Sequence, residues 1–362
     1  MTYVERINSL ISNINTNLVD FDKERVHSTP PTQVSSEFLT NKEQGDWAER
    51  TLMRGINEHS SDFVAVKYGK NDNIIAGENG FKEFYENYQN ELDTIGKRPD
   101  LLIFKKNDFQ YPINDISSLS IEKLDKIVSK ALCGIEVRSS AFLIDKYEDY
   151  MNVQQNKLKK EALCLKTEIL SNYGVLLKEK DAAVFNIIEM LSVDNLHAIS
   201  FRCPSWRSTE SLENLSCLLK QLKSVISNIT KRTFLSITPK VEDLKVVHTW
   251  IKKYNIPHYY VQVFFDKAYG VSYEKILKLI GNPDLENKEY FIESDIKNQN
   301  KTTIKIHANK EQCILQKVNL PLHCSKMKEL GRGRLLFYVE FKDSISIIND
   351  EGFANLFGFN LL

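Results

Sequence analysis

Two short segments hold the residues best suited to chemistry. The first reads RPDLLIFK over 98–105 and the second GIEVRSS over 134–140. Both are short, rich in apolar and β-branched residues, and bounded by proline, glycine or serine, which predicts a strand for each. Alternate side chains of a strand share a face, so Glu136, Arg138 and Ser140 point one way and Val137 and Ser139 the other. By the same rule Arg98, Asp100 and Leu102 share a face, and Arg98 is expected to approach whatever Asp100 helps to bind. If the strands pair, Asp100 and Glu136 meet and form an oxygen-ligand site suited to Mg²⁺, with the Val137 carbonyl as a further ligand. Such a site answers the needs of phosphodiester hydrolysis. A phosphodiester repels an incoming hydroxide, and carboxylate-held cations neutralise the phosphoryl oxygen, acidify a water and stabilise the leaving alkoxide.

The surrounding chain predicts the elements that position these groups. Apolar residues at helical spacing (Val4, Ile7, Leu10, Ile11, Ile14, Leu18) predict an opening helix within 1–20, and STPPTQVSS over 28–36 reads as a loop. A helix is expected over 43–59, a strand over 63–69, a helix over 80–94 and another in SIEKLDKIVSKAL before the second chemical segment. A long charged helix follows from 141 to about 174 and reads as a solvated surface. TFLSITP, VEDLKVVHTWIKKYN and PHYYVQVFF over 234–265 suggest a β-α-β crossover between buried strands. Beyond it, a short helix over 272–280 and strands near 302–307 and 335–341 are expected.

Bulk properties narrow the class. The 48 Lys+Arg balance 48 Asp+Glu, which argues against a coat of nucleic acid but leaves room for a local basic cleft. The six cysteines show neither a CxxC pair nor zinc-finger spacing, as expected of free thiols in a reducing cytoplasm. No secretory leader or membrane-length apolar run is visible, and no glycine-rich phosphate loop points to a nucleotide cofactor. The histidines form no metal cluster, and Cys203 in FRCPSW lacks the company of a thiol-protease signature.

Pro99-Asp100 followed by Glu136-Val137-Arg138 resembles the PD-(D/E)XK motif of nucleases, with arginine where lysine is usual and a separation of 136 − 100 = 36 residues. GDWAERTL over 45–52 resembles the helix that precedes the core strands of such enzymes and carries Glu49. Together with RPDLLIF, EVRSSAF and the run from ITPKVEDLK to VSYEKIL, most of the chain is similar to AccI-type restriction endonucleases.

The resemblance implies an α/β fold: a restriction-endonuclease-like mixed sheet flanked by helices, with a helical insertion and a C-terminal recognition lobe. It divides the chain into an N-terminal helix and loop (1–40), a nuclease core (41–270) with an insertion over about 145–230, and a region for DNA recognition or dimerisation (271–362). It implies a cytoplasmic homodimer that cuts double-stranded DNA with Mg²⁺ within a short near-palindromic site, as part of a restriction-modification system. Asp100 and Glu136 are then metal ligands, Arg138 neutralises the scissile phosphate and Glu49 assists. Arginine stays charged, so it cannot be the base. Lys240 in ITPK is the candidate for a displaced lysine. A structural Glu136–Arg138 ion pair, an ordinary strand-edge Asp100 and a surface Glu49 are the bland alternatives, and a silent DNA binder or a repair nuclease the rival functions. GRGR over 331–334 and NKTTIKIHANK over 300–310 are basic segments able to touch phosphates or a guanine edge.

Overall fold

The computed structural model describes the chain except residues 71–73, 232, 296–300 and 362, and it does not describe the side chains of Asp295, Lys310 and Arg332. Asn300, Lys310 and Arg332 of the two basic segments thus fall wholly or in part outside the described residues. By contact density the chain divides into a unit of residues 1–144 and 235–362 and a unit of residues 145–234.

The first unit is built on a seven-stranded sheet. Its strands are β1 (Phe63–Lys67), β2 (Leu101–Lys105), β3 (Cys133–Ser140), β5 (His258–Phe264), β6 (Ala268–Ser272), β9 (Cys313–Val318) and β12 (Ser346–Ile348), in the spatial order β1-β2-β3-β5-β6-β9-β12. Only β3 and β5 run parallel among these neighbours. Both faces are covered, and the strands alternate between two apolar layers. In β2, Leu102 and Phe104 enter one layer with Trp250 and Tyr260, while Leu101 and Ile103 enter the other with Trp47 and Leu52. The first layer is closed by α1 (Tyr3–Ile11), α4 (Ile121–Val128), α8 (Val241–Tyr254) and α9 (Tyr273–Ile280), the second by α2 (Ser36–His59) and α10 (Asp350–Phe357).

Helix α2 starts seven residues before the expected position. Ser35, at the end of the proline-containing loop, accepts a hydrogen bond from the Phe38 N–H and caps it, so polar residues too sparse in apolar spacing to read as helix are recruited. The β-α-β expectation needs correcting. Only Ser236–Ile237 (β4) is extended in TFLSITP, and it pairs antiparallel with β8 (Lys301–His307) in a separate sheet of order β4-β8-β7, where β7 is Tyr290–Asp295. The Pro239 carbonyl also accepts from the Ile304 N–H, which holds this segment on β8. The parallel partners are β3 and β5, separated in sequence by the whole 145–234 unit and α8. Residues 271–362 supply strands to both sheets and a hairpin of β10 (Leu322–Leu330) and β11 (Arg334–Lys342). The inner face of that hairpin buries Leu330 and Leu336 against Val34, Leu39 and Ile75.

The 145–234 unit is helical. The 37-residue α5 (Ile144–Lys180), α6 (Ala182–Glu189) and α7 (Glu210–Ile229) bury Ala162, Ile169, Ile188, Leu215, Leu219 and Leu222 around a core of their own. The six cysteines are free, as expected, and no helix among the described residues is long and apolar enough to cross a membrane.

Candidate active site

The chemistry-bearing residues gather where the N-terminal end of β2 meets the middle of β3. The pairing of Leu101 with Ile135 and Leu102 with Gly134, continued by one residue, sets Asp100 opposite Glu136. Directly opposed residues of an antiparallel pair have Cβ atoms about 5 Å apart. Strand pairing is therefore what converts a 36-residue separation into a neighbour relation. The bend at Pro99-Asp100 depends on Gly134, because a Cβ there would lie 2.6 Å from Pro99 Cγ and 3.1 Å from Trp250 Cη2. Asp100 is anchored by its neighbours: its Oδ2 accepts from the Val137 N–H at 2.7 Å, and its carbonyl accepts from Tyr68 and Gly69.

Glu136 and Arg138 project toward the α8 side of the sheet, and there they meet two residues that the motif did not indicate. Lys97 Nζ lies 2.6 Å from Glu136 Oε1 and 2.8 Å from Asp243 Oδ2, and an Arg138 terminal nitrogen lies 2.8 Å and 2.7 Å from the same two oxygens. Two cations and two anions thus form a closed ring. Asp243 belongs to the first turn of α8, where carboxylates favour the helix dipole. Lys97 is placed by Gly96, which adopts φ +80° and packs so closely on α8 that a Cβ would be 2.2 Å from the Val246 carbonyl; the Lys97 N–H donates to that carbonyl at 2.9 Å. The tertiary contact of α8 with the 95–98 turn is what brings Lys97 to Glu136.

Glu49 reaches the cleft from α2, on the opposite side of the sheet, with Oε2 3.3 Å from Lys67 Nζ. Asp100, Glu136, Val137, Arg138, Glu49, Lys97 and Lys240 all line one cavity of about 580 Å³. Arg98 lines it too, but its Nε is 2.6 Å from Glu91 Oε1 and its guanidinium lies over the Tyr68 ring. Arg98 thus reaches the same cavity as Asp100, with the buried Glu91 on α3 (Phe81–Thr94) as its ion-pair partner. Lys240, the sequence candidate for a displaced lysine, precedes the first turn of α8 at the cavity wall, whereas the lysine in contact with Glu136 is Lys97.

The carboxyls experience different environments. Burial, followed by the charges of Glu136 and Glu49, pushes Asp100 well above the usual carboxylate range. Burial also raises Glu49 despite Lys67. For Glu136 burial opposes ionisation, yet Lys97 and Arg138 together outweigh it and hold the group below its ordinary value. Asp243 is held down in the same way, by Lys97 and then Arg138. Burial opposes the charge on Lys97, but Asp243 and Glu136 raise it above the ordinary lysine value, so it is an ammonium and no base. Burial and then Arg138 lower Lys240.

Among the described residues no three His, Cys, Asp or Glu side chains are gathered as a ready-made ion cage. The donor set nevertheless fits a hard cation that keeps several waters. Glu136 Oε2 is buried with no hydrogen-bond partner, and a dication would offset the burial and the neighbouring carboxylates that raise Asp100.

No match to the chain was found among curated proteins or solved structures. A family model described as AccI restriction endonuclease matches residues 1–361. A carboxylate pair on adjoining strands, flanked by fixed cations in an open cleft, agrees with that match in chemistry, and the chain belongs to the AccI restriction endonuclease family, type II enzymes that hydrolyse phosphodiester bonds at specific sites in DNA.

Proposed function

We propose that this endonuclease is a Mg²⁺-dependent enzyme with a PD-(D/E)XK-type centre, acting in the cytoplasm as the nuclease of a restriction-modification system. The observation that carries this reading is the cross-strand meeting of Asp100 and Glu136, with Glu136 Oε2 buried and unbonded at the cleft. Asp100, Glu136 and the Val137 carbonyl would hold the ion. When bound, it supplies Lewis acidity at the phosphoryl oxygen and lowers the pKa of a water. Arg138 carries fixed positive charge at the cleft wall and stabilises the charge that develops on the phosphoryl group. Glu49, its affinity for a proton raised by burial, assists by accepting one at its carboxylate. Lys97 and Asp243 hold Glu136 and Arg138 in place. A near-palindromic duplex has a two-fold axis, so two copies of the chain cut its two strands.

Incubation of the purified protein with plasmid DNA tests the reading. Discrete bands are expected with Mg²⁺ and none with a chelator. Asp100→Ala is expected to lower the cleavage rate by at least about a thousandfold, since metal-borne charge stabilisation is worth several kcal/mol, while leaving DNA binding largely intact. Undiminished cleavage by that variant removes Asp100 from the centre, and cleavage in chelator removes the metal.

A further inference from the structure

A second cavity, of about 610 Å³, adjoins the catalytic cleft, and Phe38, Lys42 and Tyr88 belong to the walls of both. Its character is different. Helix α3 presents Phe81, Phe84, Tyr85 and Tyr88 to it, at spacings of three and four that share one helical face. The ring centroids of Phe81 lie 6.4 Å from those of Phe84 and 5.9 Å from those of Tyr85. Facing them is Phe38 in the first turn of α2, 52% exposed despite its size. Val34, Ile75 and Ala76 contribute buried apolar surface.

The aromatic face of α3 is only partly taken up by the fold: Phe81 packs against the Val34–Leu39–Ile75 cluster and the Tyr85 hydroxyl is hydrogen-bonded with Ser28. The buried residues of this helix are Gln89, Glu91 and Leu92, whereas the four aromatics are only half-buried. Three lysines stand around the cavity: Lys301 and Lys42 line it, Lys42 Nζ 3.0 Å from Asp46 Oδ2, and Lys70 Nζ, 3.3 Å from Glu91 Oε2, sits 5.3 Å over the Phe84 ring and 5.4 Å over that of Tyr88. Flat aromatic walls with positive charge at the edge suit a planar heterocycle carried on a phosphate backbone. The three shared residues set the cavity directly beside the place where the scissile phosphate is read to bind.

We propose that this cavity takes one nucleobase of the DNA substrate, rotated out of the stack beside the phosphate held in the cleft. The proposal rests on the placement of the catalytic centre under Proposed function. Stacking on Phe38 and the α3 aromatics offsets the cost of unstacking, which is lowest for a base that is already unpaired. Insertion there bends or pauses the duplex at the cleft, so the cavity contributes to binding selectivity as well as affinity.

The test uses the full chain in chelator, so that nothing is cut, and compares a short duplex carrying a single extrahelical 2-aminopurine with the same duplex fully paired. Fluorescence anisotropy is expected to show tighter binding of the bulged duplex by about five- to a hundredfold, the range that base–aromatic stacking supplies, with quenching of the 2-aminopurine on binding. Phe38→Ala, a substitution at a half-exposed position, is expected to remove most of that preference with an unchanged melting temperature, and Phe84→Ala to do the same if it folds. Asp100→Ala is expected to keep the preference, which separates this proposal from the catalytic reading: lost cleavage with retained preference leaves the cavity's role standing. Equal affinity for the two duplexes, or a preference that survives Phe38→Ala, overturns it. A shift in sedimentation of Phe38→Ala in the absence of DNA also overturns it, because the cavity is then covered by a second copy of the chain.

Discussion

At the scale of single residues, the ring of Lys97, Glu136, Arg138 and Asp243 separates the groups that touch substrate from those that hold them. Asp243→Asn removes one anion from two cations and leaves Lys97 and Arg138 to Glu136 alone. Outer-shell partners of this kind typically matter by about 10–100-fold in activity, and that loss is expected in single-turnover cleavage at saturating DNA. A cost of about 1–2 kcal/mol in urea unfolding accompanies it, less than for a fully buried pair because the Asp243 side chain is 21% exposed. A double-mutant cycle between Lys97→Met and Asp243→Asn is expected to give a coupling energy of about 1 kcal/mol or more, since the two are in direct contact. Additive effects would show that the ring has no energetic reality. Asp100 and Glu136 were visible in the sequence because strand periodicity and a Pro-Asp bend are local properties. Lys97 lies two residues before Pro99, and Asp243 sits in the first turn of α8. Neither has a local signal that names its partner.

At the scale of elements, the site depends on how closely α8 and the 96–100 turn approach the sheet. Trp250, fully buried in α8, donates from its Nε1 to the Tyr68 hydroxyl at 3.2 Å and lies edge-on to His258. Gly134→Val would drive a side chain into both Pro99 and Trp250. Overpacking of this kind costs about 1–3 kcal/mol, and the melting temperature is expected to fall by a few degrees. Cleavage is expected to fall further than stability, because Pro99 carries Asp100 with it; a variant that melts early but cuts normally would show that the bend tolerates displacement. The body of helix α2 and strands β1, β2, β3 and β5 were legible from periodicity, while the Ser35-capped start of α2 was not. TFLSITP was not, because its β-branched and aromatic content fits either sheet and only the pairing of Ser236–Ile237 with β8 decides between them.

At the scale of the whole molecule, two buried histidines link stability to pH. Burial brings His258 down to about 4, and burial, with Lys252 second, brings His248 to about 4 as well. His248 Nε2 lies 2.9 Å from Asn8 Oδ1 on α1 and, donating to it, ties the N-terminal helix to α8. An unfolded histidine titrates near 6.5, so between about pH 6.5 and 4 the unfolded chain binds protons that the folded one does not. The stability that these two rings contribute therefore falls as the pH drops through that window and levels off below it. Each histidine contributes of the order of 3 kcal/mol to the loss across the whole window. Urea unfolding of the wild-type chain and of His248→Gln at pH 8 and pH 5 is expected to show a smaller loss of stability in the variant; the same pH 8-to-pH 5 difference in both would mean that the His248 ring is not buried neutral.

Some of this was determined by the sequence alone. The Pro-Asp and Glu-x-Arg strands, the Glu49 helix and the similarity to AccI-type endonucleases depend on residue type and short spacing, which the chain carries locally. Tertiary structure decided the rest: that the ammonium at Glu136 comes from Lys97 and not Lys240, that Arg98 is bound by Glu91, and that β3 takes β5 as its parallel partner across the 145–234 unit. The physical reason is range. Backbone periodicity and capping act over a few residues, whereas an ion pair such as Lys97–Asp243 joins positions 146 residues apart and exists only once burial and close packing have made their charges each other's nearest solvent.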